Sequence, residues 1–388
     1  MNGKFINILI LFSATIFLSS CGRDEVQLPT FGVVADTVGW DHKYPCVIYL
    51  TTGNDSVSMG AQTKFRGGMS SKYYKPSFAL ELNEKRSLAG LPSDDDYVLN
   101  ANYIDKTFMR HKISYDLFRE MDVQKDKSPL CSYVNVNFKG EYAGLYVLMQ
   151  KVTAKMLGIH KADSAAVLFK EPPVFRDSLL VDTGNYYGQK FPKWQSGKGK
   201  RWNGVQAFRE FLLSADDYTF AHDVSRWVDL DNVVDWQILL LFTNNSDGLL
   251  KNFYLYRISS DAPFRIAIWD YDHSFGRDCD GELNMLKNVI DINRNVLLRR
   301  LWRLPEYQLK VKRRWKFLRD KGIISERHFK ELLNENDRRI RSSVARNFER
   351  WPVNSPDYYD AAGYQEELDL MLQYVPLRLK QLDEMMGY

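Results

Sequence analysis

Asp247 and Asn252 stand five residues apart, and Trp269-Asp-Tyr-Asp272 follows after a short aromatic and apolar stretch. Acid, side-chain amide, acid: these are hard oxygen donors. They are the kind that hold Mg²⁺ when phosphate oxygens and water complete its shell. A carboxylate in such a place can also accept a hydroxyl proton in phosphoryl transfer. The interval alone is common in proteins, so its meaning depends on what brings the three residues together.

The intervening residues supply that. Phe253-Tyr-Leu-Tyr-Arg257 reads as a strand, Ser259-Ser-Asp-Ala-Pro263 as a turn, and Phe264-Arg-Ile-Ala-Ile-Trp269 as a second strand with Phe264, Ile266 and Ile268 on one face. An antiparallel hairpin returns its end beside its start, with facing Cα atoms about 4.5–5.5 Å apart. Asn252 and Asp270 are therefore predicted to share one end of the hairpin. Upstream, apolar residues at 230, 233, 234, 238, 241 and 242 have helical spacing, with Asp229 or Asp231 as N-cap. That helix stops at Asn244-Asn-Ser-Asp-Gly248. Taken alone, this cluster is ordinarily a turn; the returning acid at 270 shifts the reading toward a site.

With these residues in view, the chain resembles the CotH kinase family, named for a spore-coat protein H. Five blocks carry the resemblance. They are Phe65-Arg-Gly-Gly-Met-Ser-Ser71 with Lys75-Pro-Ser-Phe-Ala-Leu-Glu-Leu82; Asp96-Tyr-Val-Leu-Asn-Ala-Asn-Tyr-Ile-Asp-Lys-Thr-Phe-Met-Arg110; Gly140-Glu-Tyr-Ala-Gly-Leu-Tyr146; Asn244-Asn-Ser-Asp-Gly-Leu-Leu-Lys-Asn252; and Trp269-Asp-Tyr-Asp-His-Ser-Phe-Gly276. The resemblance implies an α+β, atypical protein-kinase-like fold of two lobes, with a β-rich N-lobe and a mainly helical C-lobe. It implies binding of ATP with Mg²⁺ or Mn²⁺ and phosphorylation of protein Ser or Thr. By motif, Asp247 resembles the catalytic acid that takes the substrate proton, and Asn252 and Asp270 resemble metal ligands. Asp272 is either a further carboxylate for metal or a turn cap. Lys75 resembles the phosphate-contacting lysine, and Arg66 with its Gly-Gly turn closes over the phosphates. Two features depart from the family pattern. Gln150 stands where a Glu is expected, and the turn reads Arg66-Gly-Gly-Met rather than Arg-Gly-Asn. Neither standard glycine-rich phosphate loop occurs.

Met1–Ser20 reads as a secretory leader, with Lys4 ahead of the apolar run 6–17 and small residues before Cys21. The pattern is that of a bacterial lipoprotein, in which Cys21 is acylated, and it predicts an exported chain anchored at an outer membrane or cell surface. The run is shorter than the ~20 residues that span a bilayer. Beyond Cys21 there remain Cys46, Cys131 and Cys279, and their pairing is open. Neither Cys-x-x-Cys nor His-Glu-x-x-His occurs, which leaves zinc unsupported. His273, beside the acids, suits packing better than ligation of an oxygen-seeking cation.

Of 388 residues, 45% are hydrophobic and 14% aromatic, a globular composition. The net charge of +4 is small, and no nucleic-acid-binding pattern is present. The basic stretch 299–314 reads as a solvated helix face, with anionic lipid or an acidic substrate as the other option. The expected organisation is a leader over 1–20, a tether and first segment over 21–45, a β-rich lobe over 46–151 and a mainly helical lobe over 152–388. Strands are predicted at Cys46–Leu50, Gln62–Arg66, Ser77–Leu82, Tyr133–Phe138 and Glu141–Met149. Helices are predicted at Lys106–Met121, from Asn295 through Asp320, at Ser325–Phe348 and at Ala361–Met386. The stretches 184–188 and 196–201 read as loops.

Three functions fit these residues. The first is ATP- and metal-dependent phosphorylation of a protein, which an export leader would place where ATP is scarce. The second is a cell-surface binding or adhesion lipoprotein that keeps the kinase-like fold without catalysis. The third, a glycosidase using the acids at 247 and 270, lacks any sign of a sugar cleft.

Overall fold

A computed structural model describes residues 27–121, 128–177, 188–193, 202–277, 289–352 and 362–388. Cys21, Cys279 and the loop at 196–201 lie outside the described residues, as does most of 184–188. The fold is α+β. Seven strands form a closed barrel: β1 (Thr30–Val34), β2 (Tyr44–Thr52), β3 (Asp55–Arg66), β4 (Ser77–Arg86), β5 (Asp94–Asn100), β6 (Cys131–Phe138) and β7 (Glu141–Gln150). Neighbours pair antiparallel in the order β1-β2-β3-β4-β5-β7-β6. A parallel pairing of β1 with β6, Thr30 opposite Asn135, closes the ring. Period-2 alternation explains the filling, since Phe31, Val33, Ile48, Phe78, Leu80, Tyr97 and Leu99 all point inward.

β6 and β7 form a wall between two cores. Val134, Val136, Tyr146 and Leu148 face the barrel interior. Their alternates Tyr133, Leu145, Val147 and Met149 face a larger core built with the rest of the chain. This accounts for the seven successive buried residues that end β7, since both faces are covered. The larger core is organised on α4 (Leu230–Thr243), in which every residue from Asn232 to Thr243 is buried. Around it lie α1 (Arg110–Met121), α2 (Trp202–Ser214), α3 (Asp217–Trp227), α5 (Val296–Trp302), α6 (Pro305–Asp320), α7 (Glu326–Arg350) and α8 (Tyr364–Met386). A four-stranded sheet runs β11-β10-β8-β9, with β8 at Val167–Lys170, β9 at Gln189–Phe191, β10 at Phe253–Arg257 and β11 at Arg265–Ile268.

Most expected elements form, with instructive differences. The helix predicted from Lys106 starts at Arg110, because Asp105 and Thr107 turn the preceding residues into a polar cap. Asp105 accepts the amides of Thr107 and Arg110, and Thr107 Oγ1 accepts that of Met109. The helix predicted from Asn295 through Asp320 breaks before Pro305, which has no N–H to donate and serves as the first residue of α6. The basic stretch 299–314 is a solvated face only in part: Arg303, Lys312 and Arg313 are exposed, while three arginines are tied into the protein. Arg299 pairs with Asp177, Arg300 with Asp217, and Arg314 with Asp235. Cys46 and Cys131 are free thiols, and burial pushes them up to about 11 and about 12, so both stay protonated at neutral pH. Among the described residues no helix is long and apolar enough to cross a membrane.

Candidate active site

The hairpin predicted from sequence forms, with Phe253 opposite Ile268. One further bond, Trp269 N–H to the Asn252 carbonyl at 3.0 Å, extends its ladder to the site. Beyond that rung both strands turn sharply. Asn252 and Asp270 take left-handed backbone conformations (φ 58° and 60°), as does Asn244 at the end of α4 (φ 57°). Asn and Asp tolerate this region better than other side-chain-bearing residues. The Asp270 carbonyl accepts two side-chain amides, Asn252 Nδ2 and Asn245 Nδ2, each at 3.2 Å. Asn245 also accepts the Gly248 amide at 3.0 Å. Gly248 has no room for a side chain, since a Cβ there would sit 2.5 Å from Leu240 of α4. The predicted union of Asn252 with Asp270 is thus made through the backbone of the acid, which leaves Asn252 Oδ1 as the atom able to meet a cation.

A second clamp comes from α1, and the sequence reading missed it. The Asp270 amide donates to Tyr115 Oη at 3.0 Å, and the Tyr271 amide donates to His111 Nδ1 at 2.9 Å. These side chains sit four residues apart on one helix face. A ring that accepts at Nδ1 carries its proton on Nε2, which faces Asp270 Oδ1 at 3.6 Å. One atom each from His111, Asp270 and Asp272 lies within 4.8 Å of the others. With Nδ1 accepting an amide and Nε2 carrying the proton, His111 has no lone pair free for a metal. The oxygens of Asp270, Asp272 and Asn252 remain, and that hard donor set suits Mg²⁺ or Mn²⁺. Asp270 keeps 47% of its side-chain surface open to the cleft. Enclosure by protein on its other sides, then the charge of Asp272, raises its carboxyl above the usual range, opposed by His111, Arg66 and Lys170. A bound cation would reverse that balance.

The same cleft, about 800 Å³, is also lined by Asp247, Asp272, Arg66, Lys75, Gly67 and Gly68. Asp247 opens a short 3₁₀ turn, and Lys251 holds its carboxylate at 2.8 Å. Arg66, at the end of β3, lies over the Trp269 ring at 5.4 Å. Gly67 is required where it stands: φ is 147°, and a Cβ would meet Ser70 Oγ at 2.3 Å. Lys75 is 2% exposed. Its ammonium donates to the carbonyls of Ala101 and Leu145 and lies over Tyr146 and Phe108 at 4.4 and 4.9 Å. Burial lowers its pKa well below the usual lysine range. Gln150 accepts the Leu130 amide at 3.1 Å. Among the described residues no carboxylate pairs with Lys75.

The block Asp105-Lys-Thr-Phe-Met-Arg110 does not enter the cleft as chemistry; it braces it. Arg110 reaches Asp105 at 2.8 Å, Glu367 of α8 at 2.9 Å and the Ser274 carbonyl at 2.9 Å. Arg277 forms a second ion pair with Glu367. All four charged side chains are nearly fully buried. The segment 270–277, which carries Asp270 and Asp272, is thereby tied to α1 and to α8.

Comparison with known proteins gives a family for the chain. The family described as CotH kinase protein matches residues 63–382. The chain is also 25% identical over 252 residues to the inner spore coat protein H of Bacillus subtilis (strain 168), covering 64% of this chain and 68% of that protein. With the match running from the end of β3 through the rest of the barrel, the acidic hairpin and most of α8, the chain belongs to the CotH kinase family.

Proposed function

We propose that this protein is a CotH-like phosphotransferase that uses ATP and a divalent metal to phosphorylate Ser or Thr of a protein. The observation that carries this reading is the cleft itself. Three carboxylates and an amide sit on one rim, and Arg66, Lys75 and a glycine turn sit on the other. Phosphoryl transfer asks mainly for positioning and charge neutralisation, and these residues suit both. Asp247 would take the hydroxyl proton; Asn252, Asp270 and Asp272 would hold Mg²⁺ or Mn²⁺; Arg66 and Lys75 would face phosphate oxygens. The barrel and the helical body would then act as the two lobes of a kinase-like fold. An exported chain anchored through acylated Cys21 at the outer membrane or cell surface fits the leader, and a relative named for the spore coat fits a surface role.

One observation favours a second reading, a binding lipoprotein that has lost catalysis. Lys75 is held by carbonyls with no carboxylate partner among the described residues, and Gln150 is spent on a backbone amide. Incubating the chain that follows Cys21 with labelled ATP and Mg²⁺ or Mn²⁺ separates the two. Label transfer to protein that disappears in both Asp247→Ala and Asp270→Ala supports the enzyme. A folded protein that binds no nucleotide sinks it and supports the second reading.

A further inference from the structure

A second cavity of about 900 Å³ adjoins the cleft. Lys190 of β9 lines both, so the two meet at that strand. The floor of the second cavity is apolar, made by Val152, Leu168, Phe191 and Tyr254. Its walls carry six lysines and three aspartates. Two of these lysines are answered within the protein: Lys151 pairs with Asp96 at 2.8 Å and Lys155 with Asp94 at 3.2 Å. Lys85, Lys161, Lys190 and Lys193 have no carboxylate within ion-pair distance among the described residues. Burial, then Lys170 and, more weakly, Lys151, lowers the Lys190 ammonium below the usual lysine range, against the opposing charge of Glu171.

β9 adds backbone to this picture. It ends the order β11-β10-β8-β9, and among the described residues its outer edge meets no strand. An edge strand presents amides and carbonyls to an extended chain. Unanswered lysines beside such an edge suit an extended, negatively charged polypeptide. A nucleic-acid backbone fits less well, because the amides and carbonyls of a strand edge pair with another polypeptide backbone. We propose that this cavity binds an acidic, extended segment of the protein substrate and selects acceptor Ser or Thr residues with Asp or Glu near them in sequence. This rests on the phosphotransferase reading for the word substrate, but binding itself does not depend on catalysis.

The test uses the whole chain following Cys21, with fluorescein-labelled peptides of Asp/Glu-rich, Lys/Arg-rich and uncharged sequence around one Ser. Anisotropy should show the acidic peptide bound in preference to the others and released by salt. The double variant Lys161→Glu/Lys193→Glu should weaken it by about tenfold or more, while nucleotide binding persists. If that variant melts early, Lys161→Gln/Lys193→Gln should give a smaller loss in the same direction. Acidic-peptide binding that both variants leave unchanged overturns the proposal, as does preference for the basic peptide or for a single-stranded oligonucleotide. Lysine-dependent acidic-peptide binding without label transfer to any peptide upholds the cavity and rejects the phosphotransferase. Label transfer that is indifferent to peptide charge upholds the phosphotransferase and rejects the cavity.

Discussion

The two rims of the cleft are built on opposite principles. On the acidic rim, geometry is held by backbone. Asp270 has its carbonyl and amide fixed by Asn245, Asn252 and Tyr115, and its neighbour Tyr271 is fixed by His111. The Asp270 carboxylate itself stays open to the cleft, and that of Asp247 is held, among the described residues, only by Lys251 of the same turn. On the basic rim the charges are held by their own side chains. Lys75 is buried against two carbonyls and two rings, and Arg66 lies over Trp269. On the proposed function, the acidic rim would be a preorganised receptor for a cation. On the basic rim Lys75 sits in surroundings that disfavour its charged form, which an incoming phosphate would relieve.

Several experiments would break or sharpen this contrast. The largest effect is expected on the acidic rim, where Asp247→Ala should lower label transfer by roughly 10²–10⁴-fold with the melting temperature little changed. An equal loss of stability would mean that Asp247 is structural. Next comes the brace behind that rim. Glu367→Ala strands Arg110 and Arg277 in the interior and should destabilise the protein by about 3–5 kcal/mol in denaturant unfolding. A change well under 1 kcal/mol would show that the network does not hold the segment 270–277. On the basic rim, Lys75→Met should lower label transfer by about 10²-fold with little net change in stability, since relief of the buried ammonium offsets the two carbonyls that lose its hydrogen bonds. A marked fall in melting temperature would show instead that the barrel depends on that ammonium.

The smallest effect concerns pH. Asp270 has a folded-state pKa raised above its unfolded value, so the native state binds the extra proton between the two. Its stabilising contribution is present in acid, below the ordinary Asp value, and is lost as pH rises through the raised value. Asp270→Asn should therefore melt higher than the parent protein at neutral pH. The difference should shrink as pH falls toward the ordinary Asp range, and should narrow when Mg²⁺ or Mn²⁺ is added at neutral pH.

Residues joined by local chain were legible, and residues joined by long closures were not. The hairpin from 253 to 268 is short and follows alternation and turn chemistry, so the meeting of Asn252 with Asp270 could be read directly. The arrest of α4 at Asn244 and its Asp229 cap were equally local. His111 could not be found this way, because its contact with Tyr271 spans 160 positions. The available signal was weak: two polar rings, His111 and Tyr115, four apart on a helix that buries most of its surface. Barrel closure was also invisible, since β1 pairs in parallel with β6 across about a hundred residues and parallel pairing has no turn to announce it. The Asp105-to-Arg110 block stood out in sequence, but its partner Glu367 lies on an amphipathic helix where one buried acid looks like any surface acid.

The bond between Arg110 and Glu367 joins positions 257 residues apart. Seen from the ribosome, this sets an order of events. Strands β1 to β7 emerge first and contain every pairing that closes the barrel, so that part can mature early. The segment 270–277 cannot gain its final anchor until α8 has been made. Until then a finished barrel would stand beside a loose acidic loop, so the proposed cation site would be the last part to form.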